Sequence, residues 1–193
     1  MIHRLMAAEF KWDQEKCTHC YLCRDNCPSG AINFNAEGKM EINDHHCHYC
    51  MHCTESCTEQ AITIDQSGYG YFQQGMALAT KAVLDYFDPN HLFYLNVMMN
   101  ITPLCDCWGF TTLPFVPDIG ILAGTNIVAT ECASIDMIKS ENLIPRTLPK
   151  CYKPSGRGHL LEQIHPGKDP YLQIERAEKL GLGSKYYSLL EIV

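Results

Sequence analysis

Two stretches of the chain, "CTHCYLCRDNCPSGAINF" (residues 17–34) and "CHYCMHCTESCTEQAITI" (residues 47–64), coincide when one is shifted by thirty positions. All four cysteines match, as do the Ala-Ile pairs at 31–32 and 61–62. Each unit spaces its cysteines C-x2-C-x2-C-x3-C. Pro28 follows the last cysteine of the first unit, and Thr58 that of the second. No other feature of the 193 residues limits the fold so tightly, because the backbone here must curl around its own sulfurs.

The chain holds twelve cysteines. Its opening residues, "MIHRLMAAEFKWDQ", lack the apolar core and small-residue cleavage site of a signal peptide. A cytoplasmic, reducing compartment is therefore expected, where cysteines serve as metal ligands or catalytic thiols rather than disulfides. Three cysteines two residues apart lie on a tight loop that wraps one cluster face. The fourth begins a short helix and points away. This is the spacing that holds cubane [4Fe–4S] clusters. The expected ligand sets cross over: Cys17, Cys20, Cys23 and Cys57 for one cluster, and Cys47, Cys50, Cys53 and Cys27 for the other. Thiolates are soft and anionic and suit iron, and loop N–H groups donating to the sulfurs help to set the potential. Zinc is the main competitor, but it takes four ligands, usually as two separated pairs. Two successive quartets fit cubanes far better.

On these motifs, residues 10–66 resemble the bacterial-type two-cluster ferredoxins. Thr58 in place of a second proline leaves the fourth cysteine of the second unit less rigidly placed. Histidines crowd the loops: His19 in the first, and His45, His46, His48 and His52 around the second. They read either as solvent-facing loop residues or, for one of them, as a donor to a cluster sulfur that makes the potential pH-dependent. Residues 1–66 carry five Lys/Arg against ten Asp/Glu. That charge reads equally as steering toward a basic partner or as a solvated face.

Beyond a turn at "QSGYG", the sequence "YFQQGMALATKAVLDYF" puts Phe72, Met76, Ala79, Val83 and Phe87 on one helical face, stopped by Asp88-Pro89. A buried strand is expected in Leu92–Ile101 and another in "VPDIGILAG". "IVATECASIDMIK" reads as a helix with Val128, Cys132 and Ile135 inward. "YLQIERAEKLGLG" reads as a helix ended by glycine, and "YYSLLEIV" as a closing strand. The stretch "LIPRTLPKCYKPSGRGHL" contains no Asp or Glu and reads as a long exposed loop. Its Arg146, Lys150, Lys153, Arg157 and His159 could meet an anion or an acidic patch, or simply be solvated. The expected fold is an α+β ferredoxin-type two-cluster domain (residues 1–66) joined to an α/β domain (residues 67–193) with a mixed sheet and flanking helices.

The runs "ITPLCDCWGFTTLPFVPDIGILAG", "VATECASIDMI" and "AEKLGLGSKYYSLLEI", with His165-Pro166, resemble the C-terminal half of the domain of unknown function 362 family. Members of that family often carry a two-cluster ferredoxin insert just before this region. Asn126-Ile127 stands where the family usually has Asp-Pro, and Glu131 where it has Asp. The family's long N-terminal half has no counterpart in this chain. A half-domain exposes apolar faces, so a stable partner subunit is expected to complete it. The resemblance also draws attention to Cys105 and Cys107 in "CDCW", as a third metal or cluster site with Cys132, Cys151, Asp106 or His165 as further candidates. The alternative is that these are small buried side chains.

A net charge of −7 argues against nucleic acid, and no apolar run reaches the ~20 residues of a membrane span. No P-loop, dinucleotide fingerprint or nucleophile–His–Asp set is present. Three functional readings stay open. One is an iron–sulfur electron-transfer subunit of an anaerobic oxidoreductase complex, passing single low-potential electrons to a protein redox partner in a stable hetero-oligomer. Another is a reductase with its own metal or cluster site at the CDCW loop. The last is an activation or assembly protein.

Overall fold

The structure, a computed structural model, describes residues 9–47, 49–103, 112–148, 154, 156–165 and 167–192. The cysteine repeat is a repeat of structure. β1 (Phe10–Trp12), α1 (Leu22–Asp25) and β2 (Ile32–Phe34) recur as β3 (Met40–Ile42), α2 (His52–Ser56) and β4 (Ile62–Ile64). Each element has moved by thirty positions. The strands pair across the repeat rather than within it. β1 lies antiparallel to β4, with Phe10 opposite Ile64, and β2 lies antiparallel to β3, with Ile32 opposite Ile42. Between the two short sheets sits one core, built from Ile32, Met40, Met51, Ile62, Ile64 and Tyr69 with the sulfurs of Cys23 and Cys53.

The expected turn at "QSGYG" is instead the start of a helix. Asp65 accepts from the backbone N–H and the hydroxyl of Ser67, and α3 (Gly68–Leu84) begins at the next residue. The apolar face expected on α3 is only half realised. Phe72 packs against the ferredoxin core and Ala77 is buried, but Val83 and Phe87 are exposed. The difference comes from where the neighbours stop. α6 (Leu172–Lys179) meets α3 near Gly70, where Leu172 approaches, and among the described residues nothing covers its last turn.

β5 (Tyr94–Met98) and β6 (Gly120–Gly124) fall within the two expected strand segments, but they form a two-stranded antiparallel sheet, not a mixed one. α4 (Ile127–Met137) packs on one face of it. Asn96 on β5 donates to Glu131 and to Ser134 of α4 at 3.1 and 2.8 Å, which is how a strand with an asparagine can sit against a helix. Asn126 caps α4 by accepting from the Ala129 N–H. α5 (Leu160–Ile164), which the sequence pattern did not mark, supplies two of the most buried side chains of a second core, with Met98, Phe115, Val116 and Ile138. A third, smaller core joins Val128 and Cys132 of α4 to Ile174 of α6. Gly181, with φ 79°, ends α6 as expected.

The expected closing strand is absent. Residues 185–192 adopt no regular structure, and Tyr186, Leu189, Leu190 and Ile192 are exposed. A strand needs a ladder partner to satisfy its backbone, and none lies beside it among the described residues. Two residues of this segment are held to the helices, and the first is Lys185, whose N–H donates to Glu178 of α6 at 2.9 Å. Tyr187 donates to Asp136 at 2.6 Å, and Tyr171 donates to the other oxygen of the same carboxylate at 2.6 Å. One acid on α4 thereby ties α6 and the C-terminal segment together.

The Asp136 hydrogen bond, with burial, pushes the Tyr187 phenol up to about 12 from an ordinary 10. A raised folded-state value means that the bond's contribution is whole below pH 10 and is lost as pH rises through about 12. Asp136→Ala is expected to return the Tyr187 titration, followed by tyrosinate absorbance, toward 10. It should also cost about 1.5–3 kcal/mol in denaturant unfolding through the half-buried Tyr171 bond, the usual worth of a hydrogen bond to a charged group.

Candidate iron–sulfur site

Each cysteine loop is curled by backbone of the wrong hand for its residues. His19 and Tyr21 in the first loop have φ 54° and 60°, and Tyr49 and Met51, thirty positions on, have φ 51° and 69°. Left-handed backbone costs a non-glycine residue roughly 1–2 kcal/mol. Four such residues in two matched loops are strain kept for a purpose. The turns present the first three sulfurs of each unit to one side. α1 and α2 then start directly after the second left-handed residue.

The fourth cysteine of each unit, expected to begin a short helix, instead follows one, because the helix starts before the third cysteine, and it is held from behind. The Ala31 N–H donates to Cys27 Sγ at 3.3 Å, and the Ala61 N–H donates to Cys57 Sγ at 3.2 Å. The shared Ala-Ile pairs therefore have a physical role. The alanine donates to sulfur, and the isoleucine opens the strand that crosses to the other unit.

Two pockets result. Cys17, Cys20, Cys23 and Cys57 line one of about 340 Å³. Cys27, Cys47, Cys50 and Cys53 line the other, of about 320 Å³. Three sulfurs of one unit and the fourth of the other line each. Burial raises the Cys23 and Cys47 thiols, pushes Cys50 up to about 11 and raises Cys53 further. The neighbouring cysteines add to the rise, as closely grouped thiols do. Such thiols release protons when a metal binds. The donors are soft, mostly sheltered and backed by N–H groups, so both pockets fit a thiolate-bound cluster.

The histidines divide. His45 and His46 are exposed. His19 stands edge-on to Trp12 and Phe34 in an aromatic group beside the first loop. His52 is buried and lines the second pocket, and burial lowers its pKa. His48 lies outside the described residues.

For the third site, Cys105, Asp106, Cys107 and Cys151 lie outside the described residues. The other two candidates are not brought together. Cys132 is buried in the small core of α4 and α6 and donates weakly to Asp136 at 3.9 Å. His165 follows α5, and its Nε2 donates to the Pro103 carbonyl at 2.6 Å. Burial, with Lys168 close by, lowers its pKa to about 4. Within the Pro- and Gly-rich loop, His159 is occupied structurally. Its Nδ1 accepts from the Leu161 N–H at the start of α5, and its Nε2 donates to the Ile135 carbonyl at 3.0 Å. Spacing alone marked neither Asp136 nor Lys168.

The family model for a 4Fe-4S binding domain (Fer4) matches residues 10–33, and that for a domain of unknown function (DUF362) matches residues 23–136, more than half of the chain. The chain belongs to the DUF362 family. It therefore carries at least one 4Fe–4S binding domain of the electron-transfer kind, and the DUF362 match runs from within the first cysteine unit to the end of α4. No curated protein and no solved structure matches it. Among the described residues, no helix is long and apolar enough to cross a membrane.

The second unit of this DUF362 chain has Gln60, at φ 52°, where the first has Gly30, at φ 62°. Glycine escapes the left-handed penalty of roughly 1–2 kcal/mol but loses about 0.5–1 kcal/mol of chain entropy. Gln60→Gly should therefore stabilise the fold by up to about 1.5 kcal/mol in denaturant unfolding. Gly30→Gln should destabilise it by a similar amount.

Proposed function

We propose that this chain is the iron–sulfur electron-transfer subunit of an anaerobic redox complex, holding two [4Fe–4S] clusters. Cys17, Cys20, Cys23 and Cys57 would ligate one, and Cys27, Cys47, Cys50 and Cys53 the other. The observation that carries this reading is the crossed composition of the two pockets. Bound there, each cubane would take and give one electron at low potential. The residues around them keep water from the sulfurs with Met40, Ile62, Ile32 and Ile64, and stabilise charge on Cys27 and Cys57 with the Ala31 and Ala61 N–H groups.

A partner subunit belongs to the same reading. Phe93, Leu95, Val97 and Met99 follow one another on alternate positions of β5 and its flanks, and Ile121 stands opposite Val97 on β6. All five are exposed. Exposed apolar area of that continuity marks an interaction surface on a folded chain.

A second reading is supported by one contact. His165 holds Pro103, two residues before Cys105, close to His52 and Lys168 at the second pocket. A third metal or cluster using Cys105 and Cys107 would then be fed from the second cluster, and the chain would be a reductase or an activating protein.

Chain prepared without oxygen should contain about eight iron and eight sulfide per molecule, and about twelve of each if a third cubane is present. Cys57→Ser should disturb the cluster of residues 17–23 and leave that of residues 47–53 intact. Cys27→Ser should do the reverse. Colourless protein, or damage that stays within the mutated unit, would overturn the assignment. Passed over a sizing column alone, the chain should elute with a partner or self-associate, and a well-behaved monomer would remove the subunit proposal.

A further inference from the structure

Lys168 comes from the far end of the chain and reaches the Tyr69 ring, behind the second cysteine loop. Gly167 before it has φ +83° and lies hard against the Gln66 side chain, where an added Cβ would collide with Gln66 Oε1. Gln73 of α3 donates to the carbonyl of Asp169 after it. These contacts clamp residues 167–169 where the ferredoxin unit meets α3. The half-buried Lys168 places its Nζ 5.1 Å from the centre of the Tyr69 ring, in the range of a cation–π contact. Tyr69 is itself buried and donates to the Tyr49 carbonyl inside the second cysteine loop.

Tyr69 packs in one core with Met51 and Cys53 of that loop, so the ammonium stands behind the second sulfur set. The ion pairs among the described residues leave Lys168 without a carboxylate, so the second sulfur set is the anionic partner on offer. Among the described residues, the first pocket has no equivalent. Arg24, in the matching helix, lies over Tyr21 and is paired with Asp25 at 2.9 Å, so its charge is already balanced in solvent.

Reduction adds negative charge to a group that is already anionic. Burial opposes that, and a nearby unpaired cation favours it. Cys20 in the first pocket is exposed, whereas Cys27, Cys47 and Cys50 are half-buried and Cys53 is buried. Burial alone would thus leave a cluster in the second pocket the harder one to reduce. We propose that Lys168 is a fixed counter-charge for the cluster held by Cys27, Cys47, Cys50 and Cys53, raising its reduction potential toward that of the first so that an electron passes between them without a large step. This rests on the two-cluster reading above, and it makes Lys168 a tuning residue that the ferredoxin repeat itself does not contain.

The test is an anaerobic redox titration followed by electron paramagnetic resonance, with iron counted first. In Lys168→Met, one of two waves should move to more negative potential. At the original midpoint, its reduced fraction relative to oxidised should fall about tenfold, equivalent to about 59 mV for a one-electron couple. The other wave should stay, and Lys168→Arg should keep both. Cys27→Ser should remove the wave that moved. If Lys168→Met does not retain the second cluster, Lys168→Gln takes its place against Lys168→Arg. Loss of the second cluster from the Met and Gln variants with retention in Arg supports the counter-charge. Unmoved waves, an equal shift of both, or cluster loss from all three variants overturns it. Fewer than about eight iron in the unmodified chain would instead sink the two-cluster reading, and the tuning role with it.

Discussion

Strand pairing across the repeat is the constraint from which the rest follows. β1 and β3 open the two units and β2 and β4 close them, and each opening strand pairs only with the closing strand of the other unit. A strand of three residues has no independent stability. Neither unit can therefore complete its sheet alone. The same crossing carries the fourth cysteine over, because the strand that pairs away begins one residue after the alanine whose N–H holds that sulfur. Sheet register and sulfur grouping are one piece of geometry. A slip in either strand pair would move a cysteine out of its pocket.

The repeat was legible because its signal is covalent and local: cysteine spacing, then Ala-Ile. Its left-handed residues were not, since His19, Tyr21, Tyr49 and Met51 are poor candidates for positive φ. Only the demand that three sulfurs face one way explains them. α4 and α6 were readable from their inward positions and the glycine after α6. The face of α3 was misjudged because the pattern shows which residues could pack and not where α6 ends. "YYSLLEIV" is rich in strand-forming residues, but propensity without a ladder partner leaves it irregular. Asp136 was passed over as one acid on a helix, because the two tyrosines that bond it are 35 and 51 residues away.

β5 and β6 show how far the described residues reach. One face of their sheet is used: Asn96 bonds into α4, and Met98 and Leu122 join the second core. The opposite face carries Leu95, Val97 and Ile121, each around three-fifths exposed. Alternation with an apolar outside does not describe a half-solvated sheet, which turns polar residues to water. Under the reading proposed above, it suits a middle layer. That is why covering by another polypeptide enters the functional reading and is not an addition to it.

The two halves of the molecule meet asymmetrically. The second half touches the ferredoxin unit through Tyr69 and Phe72, which pack on its core, and through Gly167, which lies against Gln66, with Lys168 over the Tyr69 ring. The first loop faces its own aromatic group of Trp12, His19, Tyr21 and Phe34. A pseudo-symmetric pair of pockets is thus placed in two different electrostatic settings, one near solvent and one against the rest of the chain. For two clusters of like ligands, the environment is what distinguishes their potentials. On the two-cluster reading proposed above, the difference between their potentials would be set outside the repeat, by residues such as Lys168 that arrive a hundred positions later in the sequence.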